Sequence, residues 1–423
     1  MNSEPLAAAR TPTGAGPYGI WLAILGAALA ARLAFVAFMP PVIMWADGRE
    51  YDAVARLLVD HGTYGLQALR PPGYPALIAA VYSVFGKSLL ALRLVEVVLG
   101  TLSVALIGLI GTRAFGRRAG LIAATLAALH PVLAFLPSTE FPENFAVLVI
   151  VLALGAAFAG LRQGRAWGWA AASGTLFGIA TLIRPNIVTL LPGFALGAVF
   201  MLARERRGWV VPVAACCAAL ALTLAPWIVR NHHVHGRWAF VSTGGGRQFW
   251  CGNSPQTTGS TLVIPVPDST MREAFHHVSS EYAMDAYYYS KGMEFVRAHP
   301  ARAAWLYVMR FANLFALYPE TVTRTFINRW SRWAQGISSV VIYLGVLLSL
   351  RRWKREPALW PMVGAIASFA LVNALFFMNL RYRMAFEPCL LLMAGLGWAG
   401  LGWASPDAAR LPRRSDSSPG TGG

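Results

Sequence analysis

Apolar runs near the length of a membrane-crossing helix recur ten times: at about 18–39, 88–112, 119–137, 143–161, 166–183, 185–203, 209–229, 336–350, 358–378 and 384–403. A helix needs roughly 17–25 mostly apolar residues to span a bilayer. Only the eighth run is short, and it can extend backwards. The chain is therefore expected to be an all-α polytopic membrane protein. Composition agrees: 56% of residues are hydrophobic and 13% charged, against about 25% charged in soluble domains. The net charge of +17 follows the topological rule for loop arginines and lysines, so no nucleic-acid partner is expected.

Gly73–Phe85 is a further apolar run of 13 residues, nearer a re-entrant or interfacial segment than a span. Charge decides how it is read. The short basic loops carry Arg113/Arg117/Arg118, Arg162/Arg165, Arg204/Arg206/Arg207, Arg351/Arg352/Lys354/Arg355 and Arg410/Arg413/Arg414. If the run lies in the membrane plane, all of them fall on the cytoplasmic side. That reading gives ten spans with both ends inside. Run 18–39 is then a first span and not a cleaved signal, since no small-residue cleavage site follows it.

Five regions follow: a cytoplasmic tail, 1–17; a transmembrane module, 18–229, including an outer loop at 40–87; an outer region, 230–335; C-terminal spans, 336–403; and a disordered cytoplasmic tail, 404–423. Tyr51, Val54, Leu57 and Leu58 share one face of a helix over 50–60, which with Gly73–Phe85 would roof the bilayer surface. In the outer region, Ser242–Thr261 reads as loop or short strands and Glu281–Ala298 as helix. The four cysteines imply no disulfide framework.

Ionisable groups at a bilayer edge are costly, which makes them functional candidates. Asp47 follows Pro40-Pro41, and Gly48 would allow a tight turn after it. It reads as a general base for an acceptor hydroxyl, as the N-cap of the next helix, or as both. Glu140, between Pro137 and Pro142 and close to Glu143, reads as a second acid for an acceptor or a metal, as a loop acid, or as a cap. Arg184, Arg230, Arg381 and Arg383 lie on the outer face against the loop-charge bias. A planar guanidinium suits a lipid phosphate, although headgroup snorkelling also places arginine there. Arg93 and Glu96, three residues apart, suggest a structural ion pair. His232-His-Val-His235 looks metal-like but lacks further ligands at a recognised spacing, so no metal or other cofactor is expected. Tyr287–Tyr289, Trp238 and Trp250 suit sugar stacking or an interfacial aromatic belt.

Several of these pieces resemble the GT-C glycosyltransferases, above all the dolichyl-phosphate-mannose protein mannosyltransferase and lipid A aminoarabinose transferase group. The pieces are Asp47 with Tyr51, Arg70-Pro-Pro-Gly-Tyr-Pro75, Thr139-Glu140, Leu182-Ile-Arg-Pro185, Pro226-Trp-Ile-Val-Arg-Asn231 with Ser242-Thr-Gly-Gly, Gly252-Asn-Ser-Pro255, and Arg381-Tyr-Arg383 before Pro388. They occur in that group's order over about 40–400. The resemblance implies transfer, with inversion, of a sugar from a polyprenyl phosphate to a glycolipid, polysaccharide or protein hydroxyl on the outer face of a bacterial plasma membrane. It maps Asp47 onto the catalytic acid of the first outer loop, with Glu50, Tyr51, Arg70 and Tyr74 in the same substrate loop. Gly48 stands where the protein mannosyltransferases carry an adjacent acid, which puts a protein acceptor in doubt. The competing classes are a transporter or lipid flippase and a non-catalytic assembly factor. A transporter would favour repeated halves and charges within spans. No internal repeat is visible here, and the candidate charges cluster at one face.

Overall fold

A computed structural model of the protein describes residues 17–162, 166–259, 280–318, 329–378 and 380–401. Both expected tails, apart from Pro17, and the stretches 260–279 and 319–328 of the outer region lie outside the described residues. The described elements are helical. They run α1 (Pro17–Phe38), α2 (Ala46–His61), α3 (Gly73–Phe85), α4 (Leu89–Phe115), α5 (Arg117–Leu129), α6 (Pro131–Phe135), α7 (Glu143–Arg162), α8 (Ala166–Ile183), α9 (Leu191–Arg204) and α10 (Val210–His235). They continue with α11 (Gly245–Gly252), α12 (Glu281–Ala298), α13 (Pro300–Leu314), α14 (Arg329–Leu350), α15 (Leu359–Asn373) and α16 (Glu387–Ala399).

Among the described residues, seven helices are individually long and apolar enough to cross a membrane: α1, α4, α7, α8, α9 with the turn before it, α10 and α14. The expected single span at 119–137 is broken, with a 59° bend between Arg117–Leu129 and Pro131–Ser138. Pro131 cannot continue a helix, and His130 Nδ1 restarts one by accepting the Leu133 N–H at 3.2 Å. α15 and α16, of 15 and 13 residues, are shorter than the runs at 358–378 and 384–403. Between them, Leu380–Ala385 forms a separate 3₁₀ turn.

α3 runs across one end of the bundle. At its start, a Cβ on Gly73 would lie 2.9 Å from the Ile183 nitrogen, at the end of α8. Its far end leads at once into α4, whose Arg93 donates to the Pro40 carbonyl, just beyond α1, at 2.8 Å. Both ends of α3 thus lie where α1 and α8 finish and α4 begins. The same end carries α2, whose Tyr51 meets Tyr74 of α3 edge-to-face at 5.2 Å. α2 begins at Ala46, earlier than the periodicity at 50–60 suggests. Gly48 is helical and makes no turn; its missing Cβ would stand 3.2 Å from Glu140 Cβ, so it permits close packing.

The stretch read as loop or strands contains α11. Gly246 packs there against Asp285 of α12, whose Oδ1 accepts the Gly246 N–H at 2.6 Å. Trp250 and Tyr288 are buried in that contact and offer no open sugar platform. Trp238 is exposed and stacks on His232, 4.1 Å between centroids.

α16 is buried on every side from Glu387 to Gly397. Its charged group is matched within the core. Arg383 Nε lies 2.7 Å from Glu387 Oε2, and its Nη1 donates to the Tyr343 hydroxyl at 2.8 Å and the Ala316 carbonyl at 3.1 Å. His130 Nε2 stands 3.2 Å from the other Glu387 oxygen. Removing one member of a buried pair costs about 3–5 kcal/mol, whereas replacing both by apolar groups is often close to neutral. Glu387→Ala should therefore lower thermal stability in detergent by that amount. Adding Arg383→Met should restore most of it; a double variant less stable than the single would contradict this account.

Candidate active site

Three acids and three arginines meet at the end crossed by α3. Asp47 lies in the first turn of α2, but Trp45 occupies the cap position and no side chain caps the helix. The capping role expected for Asp47 is thus not the one it has. Its carboxylate turns to two arginines from distant parts of the chain. Oδ1 accepts from Arg70 Nη2 at 2.8 Å, and Oδ2 accepts from Arg381 Nη2 at 3.1 Å. Arg70 Nε also donates to Glu50 Oε2 at 2.7 Å, and its guanidinium stands 5.0 Å from the Tyr51 ring centre.

Glu143 opens α7 and forms the second acidic pole. It pairs with Arg184, which begins the turn after α8, and lies 3.7 Å from Arg381 Nε. Arg184 rests over the Tyr382 ring at 4.7 Å and Arg381 over Phe141 at 4.0 Å. A narrow cleft is lined by Glu143, Arg184, Asn186, Arg381 and Tyr382 among others. The Tyr382 hydroxyl reaches Gln248 of α11 at 3.4 Å.

Burial by itself would raise the Asp47 pKa. The charges of Arg381 and Arg70 and their hydrogen bonds outweigh it and hold the carboxyl down at about 2. Formally the three acids cancel the three arginines. The cluster is therefore not an open cationic hole. An anion entering it has to exchange places with carboxylates on the guanidinium forks, which suits the planar two-point geometry of arginine.

Other residues singled out from the sequence lie elsewhere. Glu140 is buried and pairs with Arg93 at 2.6 Å. This replaces the expected Arg93–Glu96 pair, because the turn before α7 brings Glu140 directly against α4, while Glu96 accepts from Asn144 at 2.5 Å. Arg230 donates to the carbonyls of Gly65 and Gln67 and stands over Trp227, tying down the loop after α2. Arg383 is fully buried in the Glu387 network. Tyr74 is fully buried beneath Tyr51. Among the described residues no group of three or more His, Cys, Asp or Glu is arranged to hold a metal ion. Glu143 and Tyr382 are the site residues the sequence reading passed over. The available signal was an acid in the first turn of an apolar span and an aromatic between two arginines.

Residues 69–229 match the family model of dolichyl-phosphate-mannose-protein mannosyltransferase. No curated protein matches the chain. Among solved structures, it is similar to the oligosaccharyltransferase of Archaeoglobus fulgidus tethered with an acceptor peptide containing the NVT sequon. That match has a TM-score of 0.55 and 14% identity, over 91% of this chain and 50% of that one. The same archaeal enzyme in complex with an inhibitory peptide and a dolichol-phosphate matches with a TM-score of 0.54 and 15% identity, over 90% and 50% of the two chains. ArnT from Cupriavidus metallidurans bound to undecaprenyl phosphate gives a TM-score of 0.43 at 16% identity, over 91% and 79%. The chain spans about half the length of the archaeal oligosaccharyltransferase, and the likeness at these identities is one of fold. The match over residues 69–229 makes this stretch of the membrane protein similar to a family of GT-C glycosyltransferases, and the likeness to the archaeal oligosaccharyltransferase is one of helical fold.

Proposed function

We propose that the protein transfers a sugar from a polyprenyl-phosphate donor to a hydroxyl group of a glycolipid, polysaccharide or protein, with inversion, at the extracytoplasmic face of a bacterial plasma membrane. The observation that carries this reading is the Asp47 carboxylate held between Arg70 and Arg381, with Arg184 one carboxylate away on Glu143. A dolichol-phosphate in the archaeal neighbour supports a lipid phosphate as the donor group. The basic loops after α4 and α9 lie at the opposite end of the bundle from Asp47, which supports an outward-facing site.

The chemistry follows from the exchange described above. The donor phosphate takes over donors of Arg184 and Arg381 that now serve Glu143 and Asp47. Asp47 thereby loses part of the field that keeps its pKa low and becomes a better proton acceptor. It draws the proton from the acceptor hydroxyl as that oxygen bonds to the anomeric carbon. The bond from that carbon to the phosphate oxygen breaks, and the polyprenyl phosphate leaves with the electron pair. The arginines stabilise the charge it gathers, and a single displacement inverts the centre. The leaving group is already weakly basic, so no strong general acid is needed. Glu50, Tyr51 and Arg70 hold the base in place, and Tyr74 supports Tyr51 from below.

Asp47→Asn should insert and fold but lose about 10²–10⁴-fold in sugar transfer, the usual worth of a positioned base. Full activity with a polyprenyl-phosphate sugar in membranes would refute the assignment. Arg184→Ala and Arg381→Ala should each lower kcat/KM for the donor by about 10- to 100-fold, as expected for a charged hydrogen bond. Unchanged kinetics in both would remove the phosphate role.

The pH profile is a separate check. A depressed pKa means that the carboxylate is present at all pH values above it, so Asp47 in the free enzyme stays ionised down to about pH 2. kcat/KM measured between about pH 5 and 8 should then show no acid limb from this residue. An acid limb that disappears in Asp47→Glu would contradict the geometry.

A further inference from the structure

An apolar cavity of about 310 Å³ runs between α9 and α10 and ends at the loops away from Asp47. The two helices are consecutive, yet they pack on different neighbours: α9 on α15 and α10 on α8. The space between them is left open. Phe177 and Leu220 line its middle, Val188 and Leu191 line its far end in and just after the turn that Arg184 begins, and Leu161, Leu202 and Pro212 line its other end beside the connecting loops. Among the lining residues, Ser173 already donates its hydroxyl to the Ala153 carbonyl at 3.0 Å, and the thiols of Cys216 and Cys217 behave as small apolar groups. Such walls cannot hold ordered water, which needs two to four polar partners. A hydrocarbon chain fits them.

The loop end adds charge. Arg204, Arg206 and Arg207 stand there with a single acid, Glu205. Arg204 and Arg206 are exposed, while Arg207 donates to the carbonyl of Leu161, itself a cavity wall. Trp167 and Trp209 are 61% and 40% exposed at the same level, as side chains at a membrane–water boundary are. Basic pockets between membrane helices are a recurrent setting for anionic lipid headgroups.

We propose that this is a binding site for an anionic glycerophospholipid of the membrane, with one acyl chain between α9 and α10 and the phosphate at Arg204–Arg207. Its headgroup end is distinct from the proposed sugar-transfer site, because Arg204–Arg207, Leu161 and Ala166 lie at the opposite ends of α7, α8 and α9 from Glu143 and Arg184. The inference does not depend on the proposed activity.

The test is native mass spectrometry of the full chain, titrated with phosphatidylglycerol, phosphatidylcholine or a polyprenyl phosphate. One phosphatidylglycerol should be retained in preference to the other two. Arg204→Glu with Arg206→Glu should weaken it by at least about 5-fold for each positive charge removed, the worth of a basic residue near a lipid surface. Ala195→Phe, which fills the cavity, should abolish retention. Labelling of Cys216 by N-ethylmaleimide gives a second readout should that variant fail to fold, and bound phosphatidylglycerol should slow it. Equal binding of phosphatidylcholine, tighter binding of polyprenyl phosphate, unchanged affinity in the arginine variant or unprotected Cys216 would each overturn the proposal.

Discussion

The buried ion pair of Arg93 and Glu140 sets the position of nearly everything at the functional end. Its side chains are 4% and 1% exposed, so neither charge has water to turn to. An unpaired charge in such a place is far more costly than a bent backbone. Glu140 accordingly sits in the left-handed region, with φ of 51°, a conformation costing a residue with a Cβ about 1–2 kcal/mol. Arg93 also donates to the carbonyls of Pro40 and Val42. One guanidinium thereby joins the exit of α1, the start of α4 and the turn before α7. α2 packs through Gly48 onto Glu140, which fixes where Asp47 points, and α7 begins three residues later with Glu143.

On that base the site itself is electrically balanced. Asp47, Glu50 and Glu143 occupy the arginines that a phosphate would need. The carboxylates satisfy the guanidinium groups within the cluster itself. In the proposed reaction, phosphate binding and proton transfer to Asp47 would be coupled through shared guanidinium groups, not through a moving domain.

The bundle has two unlike ends. One gathers charges of both signs into a fixed network under α2 and α3. The other carries short arginine-rich loops, where an apolar cavity that runs between helices packed apart comes to its end. The buried network of Arg383, Glu387 and His130 lies between α5, α14 and α16 and holds the C-terminal helices in the core. Arg381, two residues before Arg383, reaches Asp47 because the 3₁₀ turn sends one arginine inward and the other towards α2.

The sequence alone determined the all-helical membrane architecture, because apolar runs of spanning length allow no other. It also marked Gly73–Phe85 as a helix too short to span, and singled out Asp47, Arg184 and Arg381, which the fold brings into one cluster. Glu281–Ala298 was legible as a helix to the residue. Only the tertiary structure decided which charges face which. Arg381 and Arg383 look alike in sequence, yet one belongs to the site and the other to the core. Arg230 serves loop carbonyls, Glu140 serves Arg93, and Glu143 takes the place beside the arginines. The reason is physical: helical periodicity fixes the face a side chain occupies, but pairing across 23 or 334 residues depends on how helices meet. A buried charge takes whichever partner that packing brings within reach.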